Sequence, residues 1–528
     1  MMKFSSGRMA IISAAIAIVS CTQETPTVET TVIEEKPIAV DSIQWFDGSV
    51  DEAFAYAKAE DKPIYLYWGA VWCPPCHAIQ ATVFKSAEFI ARSQLFVAVY
   101  LDGDEENAQA AGEKFGVRGY PTMILFDSNG SELTRIPGGI DIQAYANILD
   151  LTLDEVAPVS ELVDALEADS KTLTAEECRL LAYYSWGQNP KLLEERDTVQ
   201  LFRRIYDACP ANLPKERTLA YMRYFDELIE SLDTEEEKLE LDASQIEEAT
   251  KVVYSILADY ELVRTNVFPV VFDGAKMTAA LTESGSDERA RMIEAFTAAI
   301  DELADDESVY KRERVYTALG KIYLEQIDDE EAELSDELQD EIRAVVAWAD
   351  ETTPDPYERQ DIINAASNVL SRAGMHDVAK PLLLAELDKS KQPYYFMLGL
   401  ADIEQEAGNY EEAVAWLKKA YDASTGPATR FQWGYYYLAG LLEMTPDNSE
   451  LIRSATIDVI RELEAGSGFY QRPKAQLGRL EQKLLDWSEE TDKEDVIVEI
   501  RADVLAVCGN FSDQEGSFET CQSFLDTA

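Results

Sequence analysis

The sequence predicts an α/β domain over residues 41–155 followed by an all-α region of paired helices. Two observations carry the first half. Short apolar runs alternate with helix-forming segments up to about residue 153, and a Cys-X-X-Cys pair lies between the first run and the helix after it. One observation carries the second half: beyond Val156 strand signals almost vanish, while Gly374 and Ala379 recur 34 residues later as Gly408 and Ala413.

Taken in order, Pro63-Ile64-Tyr65-Leu66-Tyr67-Trp68 reads as a buried strand and residues 78–89 as an amphipathic helix. Between them stands Trp72-Cys73-Pro74-Pro75-Cys76. At a helix start, Cys73 meets unpaired N–H groups and the positive end of the helix dipole, both of which favour a thiolate. Cys73 is therefore expected to be the more exposed and more acidic thiol, the one that attacks. Cys76, about one turn further in, reaches back to release the mixed disulfide. Structural zinc would take four ligands, and only His77 stands close by. Residues 95–102 read as a second strand, 105–115 as a helix and 123–126 as a third strand. Asp127-Ser128-Asn129-Gly130 is a hairpin turn, 132–136 a fourth strand, and Gly138-Gly139 precedes a closing helix over 141–151.

This order of elements, with Trp72-Cys73-Pro74-Pro75-Cys76 and the later Gly119-Tyr120-Pro121-Thr122, resembles thioredoxin over about residues 43–153. The resemblance implies a cis-proline at Pro121, packed against the active-site disulfide. Its use would be to turn the chain so that the Tyr120 backbone pairs with an extended substrate. Two departures stand out. Both residues between the cysteines are proline, so the first helical turn offers fewer N–H donors to the Cys73 sulfur, and its acidification is expected to be modest. The buried acid that thioredoxins carry in the preceding strand is missing, since Leu66, Tyr67 and Trp68 stand there. Glu113 and Asp102 are conceivable substitutes, but solvated carboxylates are the expectation for both. His77 is expected to be an exposed first-turn histidine without a special role.

At the amino terminus, Lys3 and Arg8 precede an apolar run over residues 9–19, too short for a comfortable membrane span and right for a signal-peptide core. It ends Ile18-Val19-Ser20-Cys21, which resembles a bacterial lipobox and implies lipidation of Cys21 after removal of residues 1–20. An ordinary cleaved signal and an uncleaved anchor are the alternatives. Thr22 after the cysteine leans, by resemblance to lipoprotein sorting, towards the outer rather than the inner membrane. Residues 21–40 lack apolar periodicity and read as a tether.

The formal charge of −54 argues against a nucleic-acid partner, because phosphate binding relies on Lys and Arg. With 100 acidic residues, pairs of carboxylates carry no information about acid–base catalysis. Only two histidines exist, His77 and His376, which excludes a histidine-rich metal site. Of seven cysteines, four remain after Cys21, Cys73 and Cys76 are assigned. Neighbours in sequence are the simplest pairs, Cys178 with Cys209 and Cys508 with Cys521; four buried free thiols are the alternative.

The 34-residue recurrence, with Gly408-Asn409-Tyr410-Glu411-Glu412-Ala413, Leu417 and Ala420, resembles the second helix of a tetratricopeptide repeat; Tyr316, Leu319, Gly320 and Tyr323 resemble its first helix. The reading is a helical domain over 156–307, tetratricopeptide-like repeats over 308–485, and a C-terminal helix and tail over 486–528. An irregular helical domain with one fortuitous repeat is the alternative. Together these features predict a membrane-tethered, periplasm-facing thiol-disulfide oxidoreductase that needs no organic cofactor or metal. In it Cys73 and Cys76 exchange, Trp72 shields one side of the sulfur pair, and Tyr120 and Pro121 position the substrate chain. Its partners would be protein thiol or disulfide clients, an electron-transfer partner, and the membrane through the N-terminal lipid. The competing reading is a helical-repeat scaffold of the envelope with a thioredoxin-like docking domain.

Overall fold

Every residue of the first apolar run, Ile64 to Gly69, is buried, so this strand (β1, Ile64–Gly69) must be covered on both faces. It pairs in parallel with β2 (Val97–Asp102), matching Ile64 with Val97 and Gly69 with Asp102. On its other side it runs antiparallel to β3 (Thr122–Phe126), which in turn pairs antiparallel with β4 (Glu132–Ile136). The sheet order is β2-β1-β3-β4. The computed structural model describes residues 42–526, apart from the short segments 106–107, 139–141, 154–155, 169–171, 233–239, 466–470 and 512–514. The expected signal peptide and tether, Cys21 included, lie outside the described residues.

Side chains of a strand alternate between faces, and the two faces of this sheet lead to different cores. Ile64, Leu66 and Trp68 join Val97, Val99, Ile124 and Phe126 under α1 (Val50–Glu60), through Ala53 and Ala57. That helix starts with a reciprocal cap: Glu52 N–H donates to Ser49 Oγ, and Ser49 N–H donates to Glu52 Oε2. Tyr65 and Tyr67 instead point into a core that holds Met123, Leu125, Ile136, Tyr145 and Phe89 and continues without a break into the helical region, through Leu162, Phe202 and Phe225 to Leu303. The α/β domain and the helices behind it therefore share one hydrophobic core, and residues 41–528 form a single compact unit.

The helix expected over 78–89 is three pieces. After α2 (Pro74–Ala81), Thr82 turns its hydroxyl back to Ala78 O at 2.7 Å and a single 3₁₀ turn follows over Val83–Lys85. Ser86 then caps α3 (Ala87–Ser93), accepting from Phe89 N–H at 3.2 Å. The helix expected over 105–115 is shorter, α4 (Ala108–Lys114), and the closing helix is α5 (Ile142–Leu151).

Beyond α5 all described regular structure is helical. The recurring positions are equivalent in space. Gly374 and Gly408 both adopt left-handed φ values, +66° and +75°, at the turns that end the helices Pro356–Arg372 and Tyr394–Glu406. Ala379 and Ala413, one turn into the helices that follow, are both fully buried. Gly320 lets two helices approach closely, since a Cβ there would lie 2.9 Å from Val271 O. The expected boundary at 485 falls inside one continuous helix, Gln471–Glu490, so chain and helix do not divide there.

A buried ion cluster joins the helices Lys311–Glu325 and Pro356–Arg372: Arg312 donates to Glu313 Oε1 at 2.5 Å and lies 3.5 Å from Asp361. Burial pushes the Asp361 carboxyl up to about 7; Arg312 opposes this and Glu313 adds to it. The folded protein then holds this proton more tightly than the unfolded chain does. The stabilisation is fully present below the ordinary carboxylate range and is lost as pH rises through about 7. Asp361→Asn, which keeps the shape without the charge, is expected to gain stability relative to the unsubstituted protein between about pH 5 and about pH 8 in urea unfolding. Parallel stability curves over that interval would show that Asp361 is not protonated in the fold.

Candidate active site at the start of helix α2

Cys73 and Cys76 are paired as a disulfide across the first turn of α2, with their Cα atoms 5.2 Å apart. Cys73 is the N-cap, and its sulfur accepts the Cys76 N–H at 3.2 Å. Because Pro74 and Pro75 have no N–H, this is the donor that the first turn can offer. Opposite lies the Tyr120–Pro121 peptide, which is cis. Pro121 O accepts from Gln188 Nε2 at 2.5 Å, so a residue of the helical region reaches the loop that carries the cis peptide. Tyr120 stacks on Trp68 with the rings 5° from parallel and meets Trp72 edge-on at 5.5 Å; its hydroxyl accepts from Gln109 Nε2 at 3.1 Å.

Three expectations are corrected. Cys73 does not face solvent: although it is the less buried of the pair, at 2 % against 0 % for Cys76, helices far along the chain lie over both sulfurs. His77 is not exposed but buried, with Nε2 2.6 Å from Val71 O and Nδ1 3.2 Å from Tyr357 O at the start of the helix Pro356–Arg372. It bridges the loop before Cys73 to the helical region. Asp102 is not a solvated carboxylate either; it is buried at the end of β2, accepts from Tyr100 Oη at 3.3 Å and from Asp104 N–H at 3.0 Å, and burial pushes its carboxyl up. Glu113 is exposed. At the place of the missing acid, Tyr67 is buried and stacked on Tyr100 at 5.4 Å, with burial pushing its hydroxyl well above the ordinary range.

The residues missed from sequence are those that cover the site. Trp433, on the helix Pro427–Met444, meets Trp72 edge-on at 5.1 Å, and Tyr395, on the helix Tyr394–Glu406, stacks beside it at 6.5 Å. Trp433 is fixed by its indole N–H donating to Tyr394 O at 3.1 Å. At the rim, the Asp104 carboxylate accepts Thr429 N–H at 2.8 Å and also the Thr429 hydroxyl. Asp104 thus caps a helix more than 300 residues away whose own N-cap, Gly426, has no side chain; such caps are worth about 1 kcal/mol. Nothing local in the sequence marks these contacts. Cys178 pairs with Cys209 inside the shared core, and Cys508 pairs with Cys521 in the C-terminal helices. Among the described residues, no group of three or more His, Cys, Asp or Glu side chains is gathered as a metal site.

Burial is the largest influence on His77 and lowers its pKa below the ordinary 6.5, although the Val71 and Tyr357 carbonyls pull the other way. The folded protein therefore favours the neutral ring. This contribution to stability is present above the ordinary histidine pKa and is lost as pH falls through the lowered value. A ring-proton NMR titration is expected to show His77 titrating below the ordinary histidine value of about 6.5. A midpoint at or above that value would mean that the two carbonyls outweigh burial.

Residues 50–152 match the family described as a thioredoxin-like domain. Over 100 residues the chain is 31 % identical to the thiol:disulfide interchange protein DsbD of Yersinia pestis (strain Pestoides F), which covers 18 % of this chain and 17 % of that protein. It is 28 % identical over 100 residues to protein disulfide-isomerase tigA of Aspergillus niger, covering 19 % of this chain and 28 % of the relative. A solved chain described as DsbH oxidoreductase is 25 % identical, over 24 % of this chain and 94 % of its own, with a TM-score of 0.21. The match to DsbD thus spans only 17 % of that protein's length. Residues 50–152 are a thioredoxin-like α/β domain built on a four-stranded sheet, and an all-helical region follows it.

Proposed function

We propose that this protein is a thiol-disulfide oxidoreductase, tethered by lipid to the cell envelope and facing the periplasm, that exchanges disulfides with protein clients through Cys73 and Cys76. The observation that carries the reading is the pairing of these two sulfurs at a helix start beside the cis Tyr120–Pro121 loop. The names of the relatives, thiol:disulfide interchange protein and protein disulfide-isomerase, support the same chemistry. In the reducing direction the Cys73 thiolate attacks a client disulfide, forming a mixed disulfide and releasing one client thiolate. The Cys76 thiolate then attacks the Cys73 sulfur, releasing the second client thiolate and leaving Cys73–Cys76 oxidised. Two electrons pass to the client, and a dithiol donor must return them. Oxidation of a client dithiol is the same sequence reversed.

The tether rests on the apolar run over 9–19 and the lipobox-like Ile18-Val19-Ser20-Cys21, with the outer membrane favoured by Thr22. Stacked tetratricopeptide-like helix pairs after residue 308 would supply the extended surface that selects a client. A second reading, an envelope scaffold whose thioredoxin-like domain only docks, is favoured by one observation, the burial of the disulfide under the helical region. Insulin reduction by the protein in the presence of a dithiol separates the two. Catalysis that is lost in Cys73→Ser, together with a client held as a stable mixed disulfide by Cys76→Ser, is expected. No catalysis and no trapped client would leave the scaffold. Cys21→Ser is expected to release the protein from membranes into the soluble fraction; a variant that stays bound after its signal is removed would end the lipid-anchor reading.

A further inference from the structure

The face of the thioredoxin-like domain on which a client would lie is already occupied. Trp72, expected to shield the sulfur pair, and Tyr120, expected to position the substrate chain, form one aromatic cluster with Tyr394, Tyr395 and Trp433, and the cysteines belong to the same buried cluster. Folded protein cannot approach a sulfur that is 2 % exposed behind these rings. The rim is less closed, since Val71 is 45 % exposed and Pro75 is also exposed.

The cover is fastened by polar contacts on two sides. On one, Asp104 caps the helix Pro427–Met444 through Thr429, and the fit is so close that a Cβ at Gly426 would lie 2.5 Å from the Asp104 Cγ. On the other, His77 lies against Tyr357 O. The domain's other attachments, the core beneath Tyr65 and Tyr67 and the Gln188 contact on Pro121 O, do not pass through this aromatic cluster. The cover and the domain's main support are thus separate sets of contacts.

We infer that Tyr395 and Trp433 are specificity-determining residues of the exchange site: they form a resident cap on Cys73–Cys76 that admits small thiols at the rim and must leave before a protein thiol can react. This rests on the exchange chemistry proposed above and names what controls it. Opening exposes an aromatic cleft between Trp72 and Tyr120 on one wall and Tyr395 and Trp433 on the other. Such a cleft suits an extended polypeptide segment around the client's cysteine, with backbone towards Tyr120 and side chains against the rings.

The test compares two reductants of the Cys73–Cys76 disulfide in the full-length protein held in detergent: dithiothreitol, and a reduced thioredoxin as a protein dithiol. Each delivers two electrons and two protons to the pair and leaves as its own disulfide. In the unsubstituted protein the protein dithiol is limited by the open fraction. Asp104→Ala, which removes the latch, and Tyr395→Ala, which removes part of the cover, are expected to raise the rate with reduced thioredoxin by about fivefold, while the rate with dithiothreitol changes by less than about twofold. Thr429→Val, which removes only the hydroxyl contact, guards against loss of folding in the other two and should move the ratio in the same direction. An unchanged ratio of the two rates in all three variants would overturn the cap, whatever insulin reduction shows. A raised ratio in variants that still do not turn over insulin would instead uphold the cap and overturn the proposed exchange function.

Discussion

The edge-on contact between Trp72 and Trp433 is the constraint on which the architecture of the active site depends. Trp72 belongs to the loop that sets Cys73 at the start of α2, and Trp433, 361 residues further on, to the helix Pro427–Met444. Aromatic pairs of this kind contribute about 0.5–1.5 kcal/mol beyond the area they bury, and here Tyr120, Tyr394 and Tyr395 extend the pair into a cluster. The contact fixes the burial of the two sulfurs, and burial in turn decides which reaction partners can reach them.

The polar contacts around that seam do a different job. Asp104 and His77 add little free energy individually, but each demands a particular geometry: the Asp104 carboxylate must meet a helix N-terminus, and His77 must sit between two backbone carbonyls. A purely apolar seam could slide. Carboxylate, imidazole and the Gln188 amide on Pro121 O set its register, so the helical region meets the thioredoxin-like domain in one arrangement. The shared core beneath Tyr65 and Tyr67 serves as foundation and leaves the opposite face to be covered separately.

Electrostatics sets limits on both parts. A chain with a formal charge of −54 repels itself strongly at low ionic strength. The arginines are correspondingly used as cross-links: Arg312 joins Glu313 and Asp361, Arg359 joins Asp350 and Glu386, and Arg430 joins Glu462. Each is at least partly withdrawn from solvent and ties one helix to its neighbours, where burial makes loss of one partner costly.

Local chemistry and local elements can be read from the order of residues. Periodicity placed the four strands to within two residues, the buried β1 being a continuous apolar run, and Cys73-Pro74-Pro75-Cys76 with Tyr120-Pro121 marked where the disulfide and the cis peptide lie. The recurrence of Gly374 and Gly408 marked equivalent helix ends, because a left-handed turn there needs glycine. The break at Thr82 was less legible, because it depends on a hydroxyl competing with the helix backbone. Exposure, by contrast, follows from packing between distant segments. Whether Cys73 faces solvent, whether His77 is free, and whether Asp102 is hydrated depend on Trp433, Tyr357 and the Asp104 turn, which no local pattern connects to them. Side-chain burial is a property of packing between distant segments, and a linear sequence does not record which distant segment arrives.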